Sequence, residues 1–142
     1  MNGHQMETMP TWAEYRTWVR NEELSAAVAL LGVDPYGVVQ KDAVRWLCWR
    51  PFDELWDTEE TYKPEPVMDW KAWVADVDRI GRGWSSTQWR LYDLVAGLAT
   101  GREFNIVGVL DRLNEWAVPA WRVLMTWAGG ASADQIRAAA PH

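Results

Sequence analysis

The sequence predicts an all-α protein, a compact bundle of about six to seven short helices with an acidic, proline-containing loop in its middle. Three observations predict it. Apolar residues recur at helical spacing along most of the 142-residue chain. The helix-opening pattern Ser/Thr-x-x-Glu/Gln occurs at Thr11–Glu14, Ser85–Gln88 and Ser132–Gln135. No segment sustains the alternation of a half-buried strand, and no tandem repeat is present.

Residues 1–10 read as a polar tail ending at Pro10. Thr11 then opens a helix striped by Trp12, Tyr15 and Val19, and Asn21-Glu22-Glu23 restarts a second, striped by Leu24, Ala27, Val28 and Leu31. The spacing leaves open whether these are one long helix or a bent pair. Gly32 is a natural stop, and Asp34-Pro35-Tyr36-Gly37 is turn chemistry, with an Asx acceptor and a fixed φ. From Val38 to Trp49 the pattern is again helical, with Val39, Ala43, Trp46 and Leu47 on one side, until Arg50-Pro51 ends it. Phe52–Trp56 reads as a short helical turn. Asp69 is a plausible N-cap for an amphipathic helix whose apolar face carries Trp70, Trp73, Val74, Val77 and Ile80, with Lys71, Asp76 and Asp78 opposite. Gly81 and Gly83 close it. A third run carries Trp89, Tyr92, Val95, Ala96 and Ala99 to Gly101. Asn105 caps a helix bearing Ile106, Val109, Leu110 and Leu113. Pro119 sits at a first helical position, opening a helix with Trp121, Leu124, Met125 and Ala128. Gly129-Gly130 stops that helix, and Ser132 heads a last, Ala-rich helix expected to fray.

One domain spanning 11–140 follows from this length, with possible sub-halves 11–56 and 69–130 joined by the acidic loop 57–68. Charge is concentrated there. Between Asp53 and Asp69 seven acidic residues face only Lys63, which accounts for the whole net charge of −6 and leaves 13 acidic and 13 basic residues elsewhere. Such density favours a solvated loop. Eleven arginines against three lysines hint at a GC-rich genome.

Twelve tryptophans reach almost every element. Each indole needs apolar cover and an acceptor for its N–H when buried, and twelve exceed what one small core normally absorbs. Half-exposed rings over a core explain some of them; interface anchors, giving self-association or a protein partner, explain the rest.

The stretch from Gly83 to Gly130 carries Trp84-Ser85-Ser86, Tyr92-Asp93-Leu94-Val95, Val109-Leu110-Asp111-Arg112-Leu113 and a closing Gly-Gly. On these motifs it resembles the C-terminal part of small uncharacterised proteins of actinobacteria and their phages. The resemblance implies a setting, an accessory protein of an actinobacterium or actinobacteriophage. It implies no activity and no site residue.

Chemistry-bearing groups are sparse. His4 and His142 sit at the two ends, so a Ser–His–Asp or Cys–His unit within the folded body has no imidazole. Lone Cys48, between Leu47 and Trp49, reads as a small buried hydrophobe. It allows no intrachain disulfide, and one cysteine with two terminal histidines makes a poor zinc set. Asp76 and Asp78 are two apart on a helix and do not face each other. Glu59 and Glu60 lack the spacing of a calcium loop. Gly81-Arg82-Gly83 before a helix start could cradle an anion, though a helix-to-helix turn explains it more simply. No catalytic residue, cofactor or metal ligand is therefore expected. No apolar run reaches the length of a membrane span, and residues 1–10 lack the regions of a secretory signal, so a cytoplasmic protein is expected.

The leading functional expectation is a non-enzymatic, protein-binding accessory protein acting on a host component or in phage immunity. Arg45, Trp46, Trp49 and Arg50 form its candidate interaction surface, since arginine beside indole is common docking chemistry. The alternative is a helix-turn-helix DNA-binding regulator on residues 86–128. Its reading helix offers one arginine, and four arginines between Trp84 and Gly130 only balance four acids, so the charge needed to neutralise phosphates is missing. An acidic DNA mimic ranks below both.

Overall fold

A computed structural model describes residues 9–140, and the described residues form eight α-helices, one 3-10 turn and a two-stranded ribbon. The two ends, including His4, His142 and most of the expected tail, lie outside the described residues. Helix starts follow the local signals. Thr11, Ser85 and Ser132 each accept from the backbone N–H three residues on, while Glu14 and Gln88 and Gln135 reach back to the cap. The helices are α1 (Trp12–Trp18), α2 (Glu22–Leu31), α3 (Val38–Val44), α4 (Trp70–Ile80), α5 (Ser86–Thr100), α6 (Ile106–Leu110), α7 (Ala117–Ala128) and α8 (Ala133–Ala138). The first two are a bent pair, because Val19 takes extended dihedrals and Asn21 recaps the chain with its side chain on the Leu24 N–H.

Helix α2 is the hub. Every residue from Ser25 to Leu31 is buried, as expected of a helix apolar on all sides. Three alanines, Ala26, Ala27 and Ala29, let neighbours approach closely; α5, α7 and α8 pack around it. Helix α8 is docked on the bundle: Ala133 and Ile136 are buried, and the Arg137 guanidinium donates to the Val19 carbonyl. At the exit of α2, Asp34 is buried yet satisfied, accepting from the Tyr36 N–H (2.8 Å) and the Val38 N–H (3.1 Å). Gly37 closes that turn at φ 63°, a left-handed conformation that glycine adopts without steric cost.

Four readings of the sequence need correction. The run from Val38 to Trp49 is not one helix: α3 ends at Val44, and Leu47–Trp49 becomes strand β1, antiparallel to β2 (Pro66–Met68), with Cys48 opposite Val67. Three apolar residues carry no alternation to read, and their pairing partner lies beyond the acidic loop. Cys48 consequently points outward, exposed rather than buried; partial burial and the nearby Asp69 carboxylate raise its thiol pKa, disfavouring the thiolate. Ile80, the last residue of α4, lies on its apolar stripe but is exposed. Helix α6 stops at Leu110, a 3-10 turn (Asn114–Trp116) runs directly into α7, and Pro119 is the third residue of α7, where a missing N–H still costs no intrahelical bond.

The tryptophans divide. Trp70, Trp73 and Trp116 are buried; Trp18, Trp56 and Trp121 are exposed; the other six are half-buried. A chain of ring contacts runs from Trp12 and Tyr15 on α1 through Trp70 and Trp73 on α4 to Tyr92, Trp84 and Trp89, with centroids 4.9–6.4 Å apart. Two indole N–H groups in this chain find acceptors: Trp70 on the Tyr15 hydroxyl (3.0 Å) and Trp73 on Asp42 (2.9 Å).

Close approach rather than conformation explains Gly97, inside α5. A Cβ built there would lie 2.0 Å from Phe104 Cδ1 and 3.1 Å from the Arg102 carbonyl oxygen. Gly97→Ala, which in an open helix would gain about 1 kcal/mol, is expected instead to lose about 1–2 kcal/mol through overpacking. In a Phe104→Ala background the same change should turn neutral or stabilising. Urea denaturation of the four proteins forms a double-mutant cycle, and additive effects would contradict the contact.

Candidate docking loop

The ribbon strands are joined by residues 50–65, and this acidic loop is built around one arginine. Arg50 leaves β1 and clasps the Asp57 carboxylate with both terminal nitrogens, at 2.8 and 3.1 Å, with Glu65 at 3.8 Å. Its guanidinium lies 5.1 Å from the centre of the Tyr62 ring, and the Tyr62 hydroxyl donates to the Arg50 carbonyl. The Arg50 hydrogen bonds, then the Asp53 backbone N–H, hold the Asp57 carboxyl below the usual carboxylate range against the opposing effect of burial. A carboxyl lowered in this way favours the clasp above its unfolded pKa, and the advantage is lost as pH falls through the folded value.

Between the ends of this clasp the chain makes a single helical turn. The N–H groups of Trp56 and Asp57 donate to the Asp53 carbonyl (3.0 and 2.7 Å), and the Asp53 carboxylate caps the turn by accepting from the Leu55 N–H (2.9 Å). The Asp57 carboxylate also accepts from the Asp53 N–H (2.8 Å). Phe52 braces the turn edge-on against Tyr62, 5.4 Å between centroids. Leu55 and Trp56 then project outward, 85% and 82% exposed. Phe52, Leu55 and Trp56 stand at i, i+3 and i+4, the spacing with which a helical turn enters a partner's groove. Asp53, Glu54, Glu59 and Glu60 flank them in the sequence, and all four are exposed.

The four residues expected from sequence as an interaction surface have different surroundings. Arg50 organises the loop. Trp49 is half-buried beside it, its indole N–H covered and without an acceptor, and with Trp18, Arg20, Pro64 and Pro66 it lines a shallow groove of about 670 Å³ between α1 and the ribbon. Trp46 packs on the core. Arg45 is exposed, paired with Asp42 at 2.7 Å and lying over the Trp46 ring at 4.9 Å. Leu55 and Trp56 were not singled out. The signal was present, an aromatic–aliphatic–aromatic triplet at helical spacing inside an anionic segment.

Elsewhere, several partly buried charges are paired in place. Arg82, in the glycine-flanked turn, faces inward to Asp42 (2.9 Å) and Asp76 (2.7 Å) instead of forming an open anion cradle. Asp78 accepts from Arg102 (2.8 Å) and lies 2.9 Å from the Tyr92 hydroxyl, whose pKa burial and that carboxylate push well up. A recess of about 390 Å³ at the α5–α6 corner holds Arg90, Arg102 and Arg112, but Asp93 and Glu103 line it too. In the trihelical stretch, α7 buries Ala120, Val123 and Leu124 and turns out Val118, Trp121, Arg122 and Met125, one cation among apolar groups. Among the described residues no cluster of three or more His, Cys, Asp or Glu could hold a metal ion, and no helix is long and apolar enough to cross a membrane.

No protein-family model, curated protein or solved structure matches the chain.

Proposed function

We propose that this chain is a non-enzymatic protein-docking factor that inserts Leu55 and Trp56 into an apolar groove, rimmed by basic residues, on a partner protein. One observation carries the reading: the two most exposed large apolar side chains in the described structure are neighbours on a turn that the Arg50–Asp57 clasp holds in shape. Water-exposed Leu and Trp gain nothing for this fold, whereas each supplies a large contact area on docking. A turn already ordered loses less conformational freedom on binding. The surrounding carboxylates select a cationic rim and speed encounter. In the setting implied by the resemblance of residues 83–130, the partner is a host protein, or a component of a rival phage where the role is immunity.

The test compares three baits in pull-downs from actinobacterial lysate: wild type, Trp56→Ala and Trp121→Ala. A protein retained by wild type and by Trp121→Ala, released by raised salt, and lost with Trp56→Ala is expected. The purified partner should then bind Trp56→Ala about 30-fold more weakly, the size of an interface hot spot. The melting temperature should not move, because surface substitutions at such a site change stability by only about 0.5 kcal/mol. Equal retention by all three baits would overturn the reading.

A further inference from the structure

Helix α7 carries an apolar stripe that the described residues leave at least half exposed or nearly so. Val118, Trp121 and Met125 are 67%, 50% and 49% exposed, and their three- and four-residue spacing puts them on one side of the helix. Arg122 on the helix and Glu115 in the 3-10 turn that leads into it are exposed, and neither side chain has a hydrogen-bond or ion-pair partner among the described residues. Seven residues separate them, about 10 Å along a helix, too far for them to reach each other within one chain. They stand nearly symmetrically about Val118, acid on the N-terminal side and base on the C-terminal side.

That arrangement is complementary to itself. We propose that α7 is a two-fold homodimer interface, in which two copies of the helix cross antiparallel at Val118. Each Glu115 then meets the second copy's Arg122, and each Trp121 covers the second copy's Val118. A two-fold contact uses the same patch on both partners, so residue i meets j and j meets i. An acid and a base placed about a central apolar residue satisfy that condition twice over. The face is neutral although the chain carries −6, because the excess lies in residues 53–69. An unrelated partner would need no such symmetry in the charges. Trp121 supplies the buried anchor typical of interface hot spots. This surface is separate from the Leu55–Trp56 turn, and the proposal does not rest on the docking reading.

Sedimentation velocity over a dilution series provides the test. The wild-type chain is expected to pass from dimer to monomer on dilution, and Trp121→Ala to raise the dissociation constant by at least about 10-fold. Trp56→Ala should leave the dimer intact, which separates failure here from failure of the docking loop. Charge reversal tests the geometry. Arg122→Glu alone sets two acids against two acids, and Glu115→Arg alone two bases against two bases, so each variant should be monomeric where wild type dimerises. Mixed together, the two variants should form a heterodimer, because every pair is then opposite in sign. A wild-type chain that stays monomeric throughout, single variants that still dimerise, or a mixture that does not associate would each overturn the proposal.

Discussion

Trp73→Ala is expected to remove about 3–5 kcal/mol of folding stability, the range for losing a fully buried large aromatic. The side chain has no solvent exposure, lies edge-on to Trp70 (5.9 Å) and Tyr92 (5.3 Å), and gives its N–H to Asp42. It is the middle of the aromatic chain that ties α4 to α5, so truncation opens a cavity between two elements and also strips a donor from a nearly covered carboxylate. Set against a typical total of about 5–15 kcal/mol, this loss is large enough to populate the unfolded state. Trp73→Phe separates the two causes. It restores most of the volume but not the N–H, and should lose about 1–2 kcal/mol. Chemical denaturation of both, beside Trp56→Ala as the exposed control, gives the comparison. A Trp73→Ala chain no less stable than Trp56→Ala would mean that this indole is not where the structure puts it.

That contrast between two tryptophans shows what could be read in advance. Helix starts were legible because their signals are local: a cap and its N–H are three residues apart, so Thr11, Ser85 and Ser132 do in the fold what their spacing announces. The stripe of α4 was legible for the same reason, except at its last residue, Ile80, which is exposed. Strand β1 was not legible. Its three residues continue a helical pattern, and only pairing with Pro66–Met68 across the loop makes them a strand. The density of the acidic segment predicts solvated charge. For Glu54, Glu59 and Glu60 that holds, while Asp57 is drawn under Arg50 by a contact between non-adjacent positions. The turn that presents Leu55 and Trp56 follows from this contact, so a helical turn is readable at Phe52–Trp56 but its presentation is not.

A similar long-range contact gives the second large effect. Arg82→Met is expected to destabilise the fold by about 3 kcal/mol near neutral pH, the lower end for breaking a buried ion pair from one side. Arg82 Nε meets Asp42 at 2.9 Å and its Nη2 meets Asp76 at 2.7 Å, with all three side chains at least three-quarters covered. Methionine keeps much of the packing volume and leaves two carboxylates without their shared cation. The pH dependence identifies the cause. Burial alone would raise the Asp42 carboxyl; hydrogen bonds from Arg82 and Trp73, with the charges of Arg82 and Arg45, outweigh it and leave the group below its ordinary value. A carboxyl lowered in the folded state contributes stability above its unfolded pKa, and that contribution is lost as pH falls through the folded value. Without Arg82 the Asp42 pKa moves up, so the variant takes its proton sooner on acidification and is relieved of the unpaired charge. The gap between wild type and Arg82→Met should therefore be widest at about pH 7 and should narrow towards about pH 3. Urea midpoints at the two pH values measure it directly, and a gap that stays constant would show that Arg82 acts through its volume and not its charge.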